Sequence, residues 1–318
     1  MKKLIVLLLT FGLVTTSCEN EPLDPILTGD DGSNNGGGNN DGGGNNGGGN
    51  NNNDILTLAS YSFDTNTNVP FFGEFIVNID YTFNSDNLIG GIITNSPVFG
   101  QDIVTNTEIT RNSNNKITET NTFYLGQLSD VTTITYNGSG QITQITYNDI
   151  ESNDEDYEYN FSYSGNVVTK TEVGSEIITE YTYNNSDRLI KKESFINGNS
   201  IQLEVLEYDN NGNVISSIMT GDINTMSTYN YDSFENPLVE PFQARDYLSS
   251  LGDEYDDQAG NDIAQFGGAN NWIGITTDNE TFNFNVTYDN SNRILSRNGN
   301  FGDSDVTITQ EEVFNYVN

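Results

Sequence analysis

The sequence contains no histidine, one cysteine, one tryptophan and six prolines, and its 11 Lys and Arg stand against 46 Asp and Glu. Each shortage closes off a chemistry. Without His, Ser-His-Asp and Cys-His nucleophile activation is excluded, and with it the usual neutral-pH general base and nearly all zinc sites. A lone Cys forms no internal disulfide. A formal charge of −35 argues against nucleic acid and anionic lipid surfaces, both of which are bound through clustered Lys and Arg. Hydrophobic content is low at 34%, and Gly is abundant at 31. Yet 17 Tyr and 17 Phe are too many for a disordered polymer. What remains is an acidic, aromatic-bearing globular region joined to something less ordered.

Lys2 and Lys3 precede an apolar run from Leu4 to Val14, and Thr15-Thr16-Ser17-Cys18 follows. That is the layout of an export signal. The run is too short to cross a bilayer as a helix, which takes about 20 residues. Residues 1–17 are therefore expected to be a removable signal peptide. The position of the cysteine resembles the lipobox of bacterial lipoproteins, with Thr15 where that pattern carries a large aliphatic residue. The resemblance implies that Cys18 is acylated, becomes the mature N-terminus and ties the chain to a membrane by its lipid. Loss of Lys2 and Lys3 makes the mature balance 9 − 46 = −37. Glu19, where an Asp would imply inner-membrane retention under the enterobacterial sorting pattern, implies the outer membrane. Glu19 and Glu21 resemble the surface-export signal of Bacteroidota lipoproteins.

From Gly29 to Asn53 the chain is almost wholly Gly, Asn, Asp and Ser. Such a segment has nothing to bury and a high entropy cost to order. Residues 18–53 thus read as the lipidated Cys plus a flexible linker, its Gly-rich part spanning about 25–30 Å on average. A phosphate loop is excluded there because no strand precedes, no helix follows and no Lys is present.

Residues 54–318 alternate polar and apolar side chains with period two, rich in Thr, Tyr, Ile and Val and broken by Asn, Gly, Ser and Asp clusters. The pattern repeats. Tyr81-Thr82-Phe83-Asn84-Ser85-Asp86-Asn87-Leu88 matches Tyr181 to Leu189, and copies recur at Thr135 to Ile142, Tyr208 to Val214 and Tyr288 to Ile294. Weaker copies lie at Arg111 to Ile117, Tyr163 to Val167 and Tyr231 to Asn236. The anchor positions 83, 111, 136, 163, 183, 208 and 231 are spaced in the twenties, and 288 follows after a gap of 57. Such a period means one supersecondary unit per repeat. Aromatics at i and i+2 share one face of a strand. The Asn or Asp after the anchor starts a turn, and Gly140 or Gly212 supplies the positive φ that closes a bulged hairpin. The expected fold is all-β: an antiparallel meander of hairpins forming one elongated, twisted or curled sheet.

Tyr208-Asp209-Asn210-Asn211-Gly212-Asn213-Val214 resembles the YD repeat of Rhs-type and teneurin-type proteins, and the likeness extends over roughly residues 75–300. The combination of lipobox, polar spacer, degenerate Tyr-Asp hairpins and an insertion at Asn236-Pro237-Leu238 is similar to uncharacterised repeat-bearing lipoproteins of Bacteroidota. The enclosure of a toxin by Rhs shells is not implied, because those shells use many more repeats.

An insertion is expected at about 238–283, with a short helix over Ala244 to Leu251. Long loops on a regular scaffold tend to carry function. Asp253, Glu254, Asp256 and Asp257 could supply oxygen ligands to calcium, although their spacing fits no EF-hand. Trp272 and the tyrosines could stack sugar rings. Paired carboxylates could hydrolyse glycosides without His. The leading expectation is a non-enzymatic envelope lipoprotein at the outer membrane, a structural or interaction module with an envelope protein or glycan as partner. Behind it stand a glycan-binding accessory protein and a carboxylate-dependent glycoside hydrolase.

Overall fold

The computed structural model describes residues 56–69, 73–98, 101–150, 156–243, 254–302 and 307–317. The signal peptide, Cys18, the linker, the helix expected over Ala244 to Leu251 and Asp253 lie outside them. Among the described residues nineteen strands run in sequence order. The first nine are β1 (Leu58–Val69), β2 (Gly73–Phe83), β3 (Ile89–Val98), β4 (Gln101–Arg111), β5 (Ile117–Tyr124), β6 (Gln127–Tyr136), β7 (Ile142–Asp149), β8 (Tyr157–Ser164) and β9 (Val167–Glu172). Then come β10 (Ile177–Tyr183), β11 (Leu189–Ile196), β12 (Asn199–Tyr208), β13 (Val214–Gly221) and β14 (Thr225–Glu235). After an insertion the wall resumes with β15 (Asn270–Thr277), β16 (Glu280–Asn283), β17 (Asn285–Tyr288), β18 (Ile294–Gly302) and β19 (Thr307–Tyr316).

The meander is antiparallel throughout, and β19 pairs with β1, so the sheet curls into a nearly closed barrel. The sequence pattern foretold the meander but not this closure, which removes the free edges a long sheet would otherwise present. At one seam, β16 and β17 form a single strand bent at Phe284, with β16 on β15 and β17 on β18.

The repeat is geometrically uniform. In the hairpins Phe83↔Ile89, Arg111↔Ile117, Tyr136↔Ile142, Tyr183↔Leu189, Tyr208↔Val214 and Tyr288↔Ile294, the anchor pairs six residues ahead, after a bulge. In each turn the Asn or Asp side chain after the anchor accepts at least two backbone N–H bonds, as Asn84 does from Asp86 and Leu88 and Asp209 from Asn211, Gly212 and Asn213. The fourth turn residue has positive φ. Gly140 and Gly212 fill that place in two copies, and Asn87, Asn115, Asp187 and Asn292 adopt the same conformation in the others.

Several anchors tie consecutive repeats together. The hydroxyls of Tyr136, Tyr163, Tyr208 and Tyr231 donate to the carbonyls of Ile117, Ile142, Leu189 and Val214, at 2.6–2.8 Å. Arg111, the least tyrosine-like anchor, donates through Nη2 to the Ile89 carbonyl at 2.9 Å and so occupies the same role. Tyr316 in the terminal strand repeats the bond, to Ile294 at 2.9 Å. It lies 28 residues beyond Tyr288 and closes the repeat series, a copy that the tail sequence had not revealed.

The inner face is the core. Near the bulged-turn rim it is apolar, with Tyr61, Tyr81, Ile89, Ile117, Ile145 and Phe314 among the buried residues, and each such side chain contributes about 1.5–3 kcal/mol relative to exposure. Toward the other rim the same face turns polar, with Thr107, Thr120, Thr122, Thr132, Thr179 and Ser194 buried. Outward positions are chiefly polar: Ser60, Ser62, Asp64, Asn66 and Asn68 on β1, and Ser296, Asn298 and Asn300 on β18. This is the reverse of a membrane-spanning barrel, whose outward band is apolar and whose lumen is polar.

Candidate functional site

The insertion runs from Asn236 to Ala269, shorter than the 238–283 read from sequence, because Asn270–Thr277 and Glu280–Asn283 are wall strands. It leaves and rejoins the wall at the bulged-turn rim and packs against the inner face. Its described residues include two short helices, α1 (Val239–Gln243) and α2 (Ala259–Asp262), and α2 runs on into a π-helical turn over Ile263–Gly267. Phe242 of α1 is fully buried and meets the rings of Tyr61, Tyr81 and Phe266 at 4.3–6.0 Å.

The polar half of the inner wall is the seat of this insertion. Glu204 on β12 is fully enclosed and accepts from the backbone N–H groups of Ala259 and Gly260 at 2.9 Å and from Ser217 Oγ at 2.6 Å. Burial raises its pKa, and the hydrogen bond from Ser217, the nearby Lys192 charge and the two N–H groups partly offset that. Lys192 on β11 stands opposite Glu204 in register and donates to the carbonyls of Glu254 and Asp257, at 2.7 and 3.1 Å. Tyr229 donates to Asn261, and Gln265 reaches Tyr61 on the far wall. The wall thus spends its buried charges on the main chain of the insertion, where each would otherwise cost several kcal/mol unpaired.

A second buried network closes the seam. Arg297 on β18 forms a bidentate pair with Glu312 on β19, at 2.8 and 2.5 Å, with side-chain exposures of 2% and 0%. Glu312 also accepts from Tyr61 and Gln310, and Arg297 Nη1 donates to the Trp272 carbonyl at 2.8 Å. Burial lifts the Tyr61 hydroxyl well above its ordinary range, and the Glu312 charge adds to that. Trp272 lies inside this network, 1% exposed. Its indole N–H donates to Gly274, and its ring is flanked by Tyr229, Phe284 and Arg297. The expectation that Trp272 offers a stacking platform for sugars is corrected: its position on an inward face of β15 makes it core.

Of the acidic loop, Glu254, Asp256 and Asp257 are described. The two main-chain oxygens of Glu254 and Asp257 that point inward are bonded to the Lys192 ammonium. The Asp257 carboxylate accepts from the Glu254 N–H. Burial raises the pKa of Glu254 and of Asp256, each also pushed up by neighbouring acids. No group of three potential metal-ligating acids converges among the described residues. Asp130 and Asp149 stand opposite one another in register on β6 and β7, and Asp130 is 1% exposed.

Sequence reasoning did not single out Glu204, Lys192, Arg297 or Glu312. A signal was present for two of them: Glu204 and Glu312 lie four residues before the anchors Tyr208 and Tyr316, the parity that faces inward. Thr132, Tyr159, Thr179 and Ser227 hold the same place before Tyr136, Tyr163, Tyr183 and Tyr231, and all are buried.

No protein-family model and no curated protein matches the chain. Among solved structures, a porin-like protein from Bacteroides uniformis ATCC 8492 superposes with a TM-score of 0.48 at 14% identity, over 83% of this chain and 99% of that one. The TcdB2-TccC3-TEV structure superposes with a TM-score of 0.27 at 12% identity, over 70% of this chain and 11% of that one. Likenesses at this level carry no argument about function.

Proposed function

We propose that this chain is a non-enzymatic envelope protein, a rigid β scaffold held at the outer membrane by a lipid on Cys18 and serving as a structural or interaction module. The observation that carries the reading is the occupied interior: the insertion lies on the inner wall, fixed there by Glu204 and Lys192. The polar outer face supports a role beside the membrane rather than through it. The likeness of the repeat to Bacteroidota lipoproteins with Tyr-Asp hairpins belongs to this proposal. Leu58 of β1 lies beside Tyr316, so the chain enters the barrel at the bulged-turn rim.

Two measurements test the reading. Cys18→Ala should move the protein from the membrane to the soluble fraction, and unchanged retention would remove the anchor. The purified mature protein should give no stepwise conductance in planar bilayers, and reproducible single channels would overturn the scaffold role.

A further inference from the structure

On the outer face, apolar side chains gather on one wall. Val205, Ile218 and Met226 stand side by side in register across β12, β13 and β14, with exposures of 40%, 39% and 52%. Beside them Leu203 faces outward on β12, and on β10 and β11 Ile178 lies opposite Phe195, Ile178 being 42% exposed. The corresponding positions of β18 and β1 are Ser, Asn and Asp. Scattered apolar residues on a surface need no explanation, but a row in register does.

Acidic side chains border the row. Glu180 and Glu193 face each other directly across β10 and β11 on the outward side. Hydrogen bonds from Lys191 and Ser200 hold the Glu193 carboxyl below its usual range despite its partial burial, the Lys191 bond being 3.0 Å. Glu207 adds another acid beside Val205. The inner side of the same wall is held by the insertion through Lys192, Ser194, Glu204 and Ser217, so the outer surface is preorganised.

We infer that the outer face of β10–β14 docks a protein partner that presents apolar side chains flanked by Lys or Arg. Its cations would pair with the bordering carboxylates of Glu180, Glu193 and Glu207 while its apolar side chains cover the Val205–Ile218–Met226 row. A second copy of this chain is disfavoured as occupant, since each mature copy carries −37 (9 − 46). The inference rests on the interaction-module reading and gives it a surface.

The test uses the full mature chain and synthetic strand-forming peptides of alternating Leu and Lys, Ser and Lys, or Leu and Glu, with binding followed by fluorescence anisotropy. The Leu-Lys peptide should bind, and at least tenfold more weakly after the neutral double change Ile218→Asn and Met226→Asn. Glu180→Gln with Glu193→Gln should weaken it and flatten its salt dependence. Val313→Asn, on the outward face of β19, should leave binding unchanged. An unchanged melting temperature shows that these surface variants remain folded. The inference is overturned if the Leu-Lys peptide does not bind, if Ser-Lys binds as tightly, if the double change has no effect or if Val313→Asn has as large an effect. It is also overturned if sedimentation shows self-association that the double change abolishes. Such failures, with Cys18-dependent membrane retention and absent conductance intact, would remove this surface and leave the scaffold role standing.

Discussion

Removing one hydroxyl from a repeat anchor probes how the repeats are joined. Tyr208 donates to the Leu189 carbonyl at 2.8 Å and carries the Arg188 guanidinium over its ring at 5.7 Å. Tyr208→Phe keeps the ring and its packing but leaves that carbonyl, on a residue 4% exposed, without its partner. The expected loss is about 1–1.5 kcal/mol, a net hydrogen bond plus part of the penalty for an unsatisfied acceptor. Tyr136→Phe and Tyr231→Phe break the equivalent bonds to Ile117 and Val214. The three sites sit on separate hairpins, so their effects should add to about 3–4.5 kcal/mol. Urea unfolding followed by Trp272 fluorescence should show a falling midpoint at constant slope, and the melting temperature should drop roughly 2–4 °C per kcal/mol. Tyr124→Phe, at a residue 39% exposed, serves as the control. A loss no larger than the control, or a triple variant no worse than a single one, would refute the claim that the anchors tie the repeats.

The buried charges make further predictions. Glu204→Ala strands two backbone N–H groups and Ser217 and should cost about 3–5 kcal/mol, whereas Glu204→Gln keeps an acceptor and should cost about 1–2 kcal/mol. Because burial raises the Glu204 pKa, the folded state takes up a proton before the unfolded state does. Wild-type stability should therefore gain on Glu204→Gln as pH falls from 7 toward the unfolded carboxylate range, and thermal melts across that range will show whether the gap widens as required or narrows. Arg297→Met leaves Glu312 unpaired and fully buried and should cost about 3–5 kcal/mol, while Arg297→Met with Glu312→Leu should cost less than the sum of the single changes. A double-mutant cycle in urea reads the coupling, and strict additivity would contradict a tight pair.

The hairpins were legible in the sequence because each depends on local chemistry: an Asn or Asp that caps its own turn, a residue tolerant of positive φ and a bulge before the anchor. Even Arg111 could be placed by spacing alone, and its bond to Ile89 shows that a guanidinium can stand in for the phenol. Closure was not legible, since the pairing of Leu58 with Tyr316 joins residues at opposite ends of the domain. Trp272 misled for a related reason: one aromatic in an apparent loop suggests a platform, but the wall strand had resumed two residues earlier, at Asn270, and the ring turned inward. The insertion's seat was hidden because Glu204 and Lys192 look like ordinary strand charges until parity with the anchors places Glu204 inside.

The central claim is that the insertion belongs to the folded barrel as its interior, and native-state hydrogen exchange of Ala259 and Gly260 tests it most directly. Both amides are bonded to the buried Glu204 carboxylate. If wall and insertion are one cooperative unit, these amides should exchange only through global opening, with the same free energy as the amides of β12. Fast exchange at Ala259 and Gly260 while β12 stays protected would mean that the insertion opens independently, and would contradict the account of a filled scaffold.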